Sequence, residues 1–213
     1  MLRFDHLCKS YGTRRILDDV GYDFGPGAHA LRGPNGIGKS TLLRVLAGAE
    51  DADSGAIWID GLAMDAGATS TTGARDRLAY APDECPVYPF MSGRELLDFV
   101  AYAKRCAPSP AVAAIVERFG LGRHLDTRCG AMSLGTQKKL MLAAAWIGRP
   151  AVLLFDEPSN GLDADARAVL IELLVDKAME ATVLVSTHDG AFAQAIGAAV
   201  IDFDALRPAD PKM

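Results

Sequence analysis

No apolar run in this 213-residue chain approaches the roughly 20 residues that a membrane-spanning helix needs. The stretch Leu140 to Ile147 is short and flanked by Lys138, Lys139 and Arg149, so a soluble protein is expected. The opening Met1-Leu2-Arg3-Phe4-Asp5-His6 places an acid where a secretory leader would need an unbroken apolar segment, which predicts a cytoplasmic chain. Basic residues are in deficit: 22 Lys and Arg against 27 Asp and Glu leave a formal net charge of −5. That balance argues against a general polyanion binder, and so against nucleic acid as a partner. Cysteines are few and scattered, at Cys8, Cys85, Cys106 and Cys129, with no C-x-x-C pair, so free thiols are expected rather than a disulfide frame or a zinc site. Internal repeats and low-complexity tracts are missing too. With half its residues apolar, the chain has ample core for one large α/β domain or two small ones.

What is present begins at Gly33-Pro34-Asn35-Gly36-Ile37-Gly38-Lys39-Ser40-Thr41, which fits the G-x-x-x-x-G-K-[ST] spacing of a phosphate-binding loop. Its glycines let successive backbone N–H groups point into one concavity, and Lys39 supplies a point charge for β- and γ-phosphates. Ser40 is left to ligate Mg²⁺. The run Ser40 to Ala47 reads as a helix whose positive N-terminal end faces the same phosphates, and Gly48 stops it.

Around this loop the chain reads as α/β. Leu2 to Asp5 and Val20 to Phe24 alternate apolar with polar on either side of a turn at Tyr11-Gly12, which predicts an antiparallel edge sheet. Tyr11 is either a ring that stacks on a nucleotide base or an ordinary tyrosine, and position alone leaves both open. Further strands are expected at Ala28–Arg32, Ser54–Gly61, Leu78–Ala81, Val152–Phe155, Thr182–Thr187 and Ala199–Phe203. Between them, Asp65 to Arg77 reads as loop plus a weak helix. Helical spacing takes over from Ser92, breaks at Pro108-Ser109-Pro110, resumes through Val112 to Phe119, and returns at Gln137 to Gly148. Residues 85–150 therefore read as a helical insert in an α/β core made of 1–84 and 151–213, the whole forming one domain. Helices near 163–179 and 191–196 and a Pro-containing tail complete the chain.

Carboxylates stand where open α/β sheets bind ligands: the apolar run Val152 to Phe155 ends directly in Asp156-Glu157. Asp156 suits the second protein position around a nucleotide-bound Mg²⁺, beside Ser40. Glu157, on the other side of the backbone, suits a proton acceptor for the water that attacks a γ-phosphate. His188 follows another apolar strand at the same edge, where an imidazole can hold that water. His6, His29 and His124 have no such setting and read as structural or surface residues.

The order of these pieces resembles the nucleotide-binding domain of an ATP-binding cassette (ABC) transporter over nearly the whole chain, a P-loop NTPase with a mixed central sheet, an antiparallel β subdomain and a helical subdomain insert. In that resemblance Tyr11 matches the aromatic that stacks on adenine, Gly33 to Thr41 the Walker A loop, and Val152 to Glu157 the Walker B strand with its catalytic glutamate. Ser159-Asn160-Gly161-Leu162-Asp163 matches the D-loop and His188 the switch histidine. Met132-Ser133-Leu134-Gly135-Thr136-Gln137-Lys138-Lys139-Leu140 is similar to the family's signature motif, with Ser133 and Gly135 where expected and Leu134 and Thr136 in place of a glycine and a glutamine.

The resemblance implies an ATPase that dimerises around two ATP–Mg²⁺, the serine and helix end of one subunit meeting the γ-phosphate held by the other. It implies a second ABC ATPase subunit and membrane-spanning permease subunits on separate chains, with this subunit peripheral on the cytoplasmic face. The chain's small size and signature variant resemble export-type cassettes. Asp83, in Tyr80-Ala81-Pro82-Asp83-Glu84, stands at the family's Q-loop glutamine and is expected to touch Mg²⁺ through water. The apolar loop Cys85 to Met91, within 83–95, is expected to receive the membrane partner. A rival reading, a soluble ABC-type ATPase acting on nucleic acid or ribosomes, fits less well with one cassette, no heptad insert and an acidic balance.

Overall fold

The computed structural model describes residues 1–64, 73–84, 86–107 and 109–207. In chain order its elements are β1 (Leu2–Tyr11), β2 (Arg14–Phe24), β3 (Gly27–Arg32), α1 (Lys39–Leu46), β4 (Ser54–Ile59), β5 (Leu62–Ala63) and β6 (Leu78–Ala81). There follow α2 (Gly93–Ala103), α3 (Pro110–Arg118), α4 (Leu134–Ala144), β7 (Val152–Asp156), α5 (Ala164–Ala178), β8 (Thr182–Ser186), α6 (Gly190–Ala195) and β9 (Ala199–Asp202). The loop and weak helix expected at Asp65 to Arg77 fall partly on 65–72, outside the described residues; Arg75–Arg77 forms a single 3₁₀ turn. The Pro-containing tail from 208 also lies outside them.

Where a mixed central sheet was expected, the two strand directions are divided between two sheets. One is antiparallel in the order β2-β1-β4-β5; the other has the order β6-β7-β8-β3-β9, with every pair parallel. The parallel sheet is covered on both faces, as parallel sheets generally are. All five residues of β7 and all five of β8 are buried. Their alternation sends Leu153, Phe155, Val183 and Val185 into one apolar cluster and Val152, Leu154 and Leu184 into another. The first cluster joins the sheet to α2, α3 and α4, so the insert's helices share the core of the sheet; the second joins it to α1 and the antiparallel sheet. Each fully buried Leu or Phe of these strands contributes roughly 1.5–3 kcal/mol.

β1 and β2 run well beyond the short segments expected from alternation. Register shifts interrupt their pairing between Phe4 and Leu7 and again before Lys9 and Ser10, and His6 and Asp19 each adopt a left-handed φ of 53°. A bulge inserts a residue and breaks the two-residue period that a sequence reading depends on. Helices α2, α5 and α6 begin at side-chain caps: Ser92 and Glu95 form a reciprocal capping box on α2, and Asp163 and Asp189 cap α5 and α6. Because the large sheet is parallel, the C-terminal ends of β3, β6, β7 and β8 lie along one edge, and the chain segments that leave them meet there.

Candidate active site

The edge is dominated by the loop between β3 and α1. Gly38 has φ +120°, and a Cβ there would stand 2.8 Å from Ile16 Cγ2, so only glycine serves. The loop curls round its own lysine: Lys39, only 8% exposed, donates from Nζ to the carbonyls of Gly33 at 2.7 Å and Pro34 at 3.2 Å. Ile37 packs behind the loop in the second apolar cluster. Asn35, Gly36, Gly38, Lys39, Ser40 and Thr41 face the other way, into a cavity of about 470 Å³. Gly33, Pro34 and Ile37 thus shape the loop, while the remaining residues of the motif line the space.

Asp156 and Glu157 line the same cavity from the end of β7. Asp156 is 5% exposed and accepts a hydrogen bond from the Ser186 hydroxyl, which fixes its carboxylate at the junction of β7 and β8. At the next residue the chain turns sharply: Glu157 has φ +43°, and its N–H donates to the Ser186 carbonyl at 3.0 Å. Such a conformation in a non-glycine residue costs on the order of 1–3 kcal/mol and persists only where the surroundings enforce it. Its effect is to aim two consecutive carboxylates differently. Glu157 Oε2 lies 3.0 Å from His188 Nδ1, which links the ends of β7 and β8 through their side chains. Tyr80 on β6 is held neutral, its hydroxyl pushed up to about 12 by burial first and by the Asp156 charge second.

A hydroxyl and a carboxylate, Ser40 and Asp156, therefore share one cavity. Among the described residues no group of three or more His, Cys, Asp or Glu forms a metal cage. One or two hard oxygen donors suit Mg²⁺, which keeps several waters and takes phosphate oxygens for the rest of its shell.

Three expected site residues stand apart. Ser133 caps α4, its Oγ accepting from Thr136 N–H at 3.2 Å, and Leu134 beside it is 80% exposed. Gly135 lets the 159–163 loop approach, since a Cβ there would lie 3.2 Å from the Gly161 carbonyl. Neither Ser133 nor Gly135 is among the described residues that line the cavity. Asp83 does not line it either: its Oδ1 lies 3.4 Å from Lys138 Nζ on α4. The segment leaving β6 turns toward α4, and a carboxylate one methylene shorter than glutamine's amide arm meets an ammonium there instead.

Two cavity residues escaped the sequence reading. Arg14 and Ile16 come from β2, and with Tyr11 at the end of β1 they form the cavity's outer wall. Their only sequence signal is the pairing of Tyr11 with Arg14 across the turn, which requires the full length of the hairpin to be known. Tyr11 is 46% exposed, with Lys9 Nζ 5.6 Å from its ring centroid.

Comparison with known proteins places this arrangement in company. The profile of the family described as ABC transporter matches residues 17–160. The Nod factor export ATP-binding protein I of Paraburkholderia xenovorans is 35% identical over 88% of this chain and 62% of its own length. The glutamate/aspartate import ATP-binding protein GltL of Escherichia coli is 30% identical over 96% of this chain and 87% of its own. The chain spans 61% of an ABC transporter ATP-binding protein of Bacillus subtilis to which it is 33% identical. A solved structure described as an ATP-binding subunit of an ABC transporter superposes with a TM-score of 0.84 at 27% identity, covering 99% of this chain and 95% of that one. A dimeric ATP-binding cassette solved with ADP and Pi shares the fold, with a TM-score of 0.84 at 22% identity and 95% of this chain covered.

Proposed function

The chain belongs to the ABC transporter family, and from that premise we propose that it is an ATP-hydrolysing subunit of a transporter whose membrane-spanning parts are separate chains. The observation that carries the catalytic half of this reading is the Glu157–His188 pair, 3.0 Å apart, whose glutamate lines the same cavity as the phosphate loop. In this reading the loop's N–H groups and Lys39 hold the β- and γ-phosphates, Tyr11 stacks on adenine, and Ser40 and Asp156 hold Mg²⁺. Held by Ser40 and Asp156, Mg²⁺ would supply positive charge that offsets the charge of the phosphates. Glu157 accepts the proton of the attacking water, and His188, whose Nδ1 faces that carboxylate, orients it. The test is a Glu157→Gln variant. ATP affinity should stay near wild type because Lys39, Ser40 and Asp156 remain, while turnover should fall by roughly 10²–10⁴-fold, the usual worth of a general base. Hydrolysis at the wild-type rate would remove Glu157 from the chemistry.

Ser133 and Gly135 belong to the same reading only through a second cassette. Separated from the cavity of their own chain, they suit the γ-phosphate held by a partner, so that two ATPs are shared by two subunits. Relatives named for export and for import both match, at 35% and 30% identity, and they do not favour the expected export direction over the other.

The membrane contact is proposed on the loop before α2. Tyr88 and Phe90 are 48% and 67% exposed, and their rings lie 5.7 Å apart, with Phe99 of α2 6.1 Å from Tyr88. Cys85 of that loop lies outside the described residues. An aromatic group left open to water, rather than folded into the insert's core, suits a groove for a permease helix. Through it the subunit would sit peripherally on the cytoplasmic membrane face. Tyr88→Asp with Phe90→Asp should spare ATPase activity and abolish recruitment to membranes carrying the permease. Loss of activity together with thermal stability would make the loop a structural element instead. No nucleic-acid role is proposed.

A further inference from the structure

Lys138 is the one lysine outside the phosphate loop that is nearly buried, at 4% exposure, among the described residues. Its ammonium donates to the carbonyls of Pro82 at 3.3 Å and Asp83 at 3.1 Å and lies 3.4 Å from the Asp83 carboxylate. Burying an ammonium costs several kcal/mol unless its donors are satisfied, and here one short segment supplies all three acceptors. That segment is the direct continuation of β6, whose Ala81 pairs with Phe155, the residue before Asp156. Lys138 itself opens the second turn of α4, the helix that Ser133 caps.

The other polar contacts at the start of α4 differ in kind. Gln137 Nε2 donates to the Cys129 and Met132 carbonyls at 3.0 and 3.2 Å, which ties α4 to the turn that precedes it. Lys139 reaches Asp163 at 2.9 Å, but 59% of that aspartate's side chain is exposed, so water competes for the pair. Lys138 is the buried tie between α4 and the edge of the sheet that carries Asp156.

We propose that Lys138 is a positioning residue, anchored on Asp83, that fixes the start of α4 relative to the nucleotide-bearing edge and so sets how Ser133 is presented to a partner cassette. Asp83 then acts as the anchor of the signature helix rather than as a metal-linked residue. The inference rests on the dimer reading above and adds to it a route within one chain: from Asp156 across the β7–β6 pairing to Ala81, through Pro82 and Asp83 to Lys138, and along α4 to Ser133. A lysine in the second turn of α4 and an aspartate two residues beyond β6 are each unremarkable in the sequence; their meeting is visible only in the fold.

The test uses the Glu157→Gln protein as parent, with ATP binding and ATP-driven dimerisation measured separately. Adding Lys138→Met should leave ATP affinity within about twofold and raise the dimer dissociation constant about tenfold or more, as expected when a coupled contact is removed. Asp83→Asn should weaken the dimer in the same direction, and adding it to Lys138→Met should have little further effect. Where Lys138→Met fails to fold, Asp83→Asn alone decides, because it keeps both carbonyl acceptors. A Lys139→Ala variant, losing a pair half open to water, should weaken the dimer less. Equal dimerisation of parent and variants would overturn the inference, as would loss of ATP affinity in parallel with the dimer. A parent that stays monomeric with ATP bound would remove the dimer reading and this inference with it. A parent that dimerises beside variants that dimerise equally well would remove this inference alone.

Discussion

The starts of α1 and α4 are both helix N-termini, and they are finished in opposite ways. At α1 the cap position is Gly38, which offers no side-chain acceptor, so the first-turn N–H groups face a cavity walled by residues of the same chain. At α4 the cap is Ser133, whose hydroxyl accepts from Thr136, and the neighbouring side chain, Leu134, stands 80% exposed. The first is a concave site complete within one subunit. The second is a capped helix end whose Leu134 side chain is open to water and which lies outside the cavity of its own chain. On the dimer reading proposed above, the difference is that the chain would enclose half of a larger site and display the other half to a second copy or a paralogue.

The comparison can be broken first on the concave side. Lys39→Ala should weaken ATP binding by roughly a hundredfold, because one or two charge-assisted hydrogen bonds worth roughly 1.5–3 kcal/mol each are lost. Titration calorimetry with Mg²⁺ present checks it, and unchanged affinity in a folded variant would put the site elsewhere. Tyr11→Ala should cost roughly 1–3 kcal/mol of ATP affinity, the range for stacking a base on an aromatic ring. It should leave tripolyphosphate binding unchanged, since the ring touches no phosphate in this reading. Arg14→Ala sharpens the assignment of the outer wall: an exposed cation contributes about 0.2–1 kcal/mol, so ATP and tripolyphosphate should weaken together, and less so as salt is raised.

The smallest effect is on acidification. Asp163 lies below the usual carboxylate range, chiefly through the Ala166 N–H it caps and then through Lys139; Asp189 does so chiefly through the Phe192 N–H. Groups whose folded values are lowered stabilise the fold above the ordinary aspartate value near about 4 and lose that contribution as pH falls through the lower folded values. Melting temperature measured from pH 7 downwards should hold until about pH 4–5 and then decline, and Asp163→Asn should flatten that decline. An unchanged profile would take the caps out of the acid response.

How much of this was legible in the sequence differs along the same divide. The phosphate loop was readable residue by residue, because its spacing, its glycines and its lysine are all local requirements of one turn. Asp156, Glu157 and His188 were readable because short apolar runs place the residues after them at a known edge of a parallel sheet. Arg14 and Ile16 were not, since a bulged strand hides its own period and the wall of the cavity depends on where β2 ends up. The contact of Asp83 with Lys138 was not legible either, because the two are 55 residues apart in the chain. The apolar pattern of 83–95 foretold a loop rich in large side chains, but whether it faced core or water depended on distant contacts such as the Cys129 N–H to the Met91 carbonyl and the Gly130 N–H to the Pro89 carbonyl.

Two subunits that share ATP between the phosphate loop of one and the start of α4 of the other are tested most directly by sedimentation of the Glu157→Gln protein. With ATP at saturation the protein should sediment as a dimer, and with ADP as a monomer. Adding Ser133→Arg should return the ATP-loaded protein to a monomer without releasing the nucleotide. A dimer that persists in the Ser133→Arg variant, or a monomer in the parent with ATP bound, would contradict it.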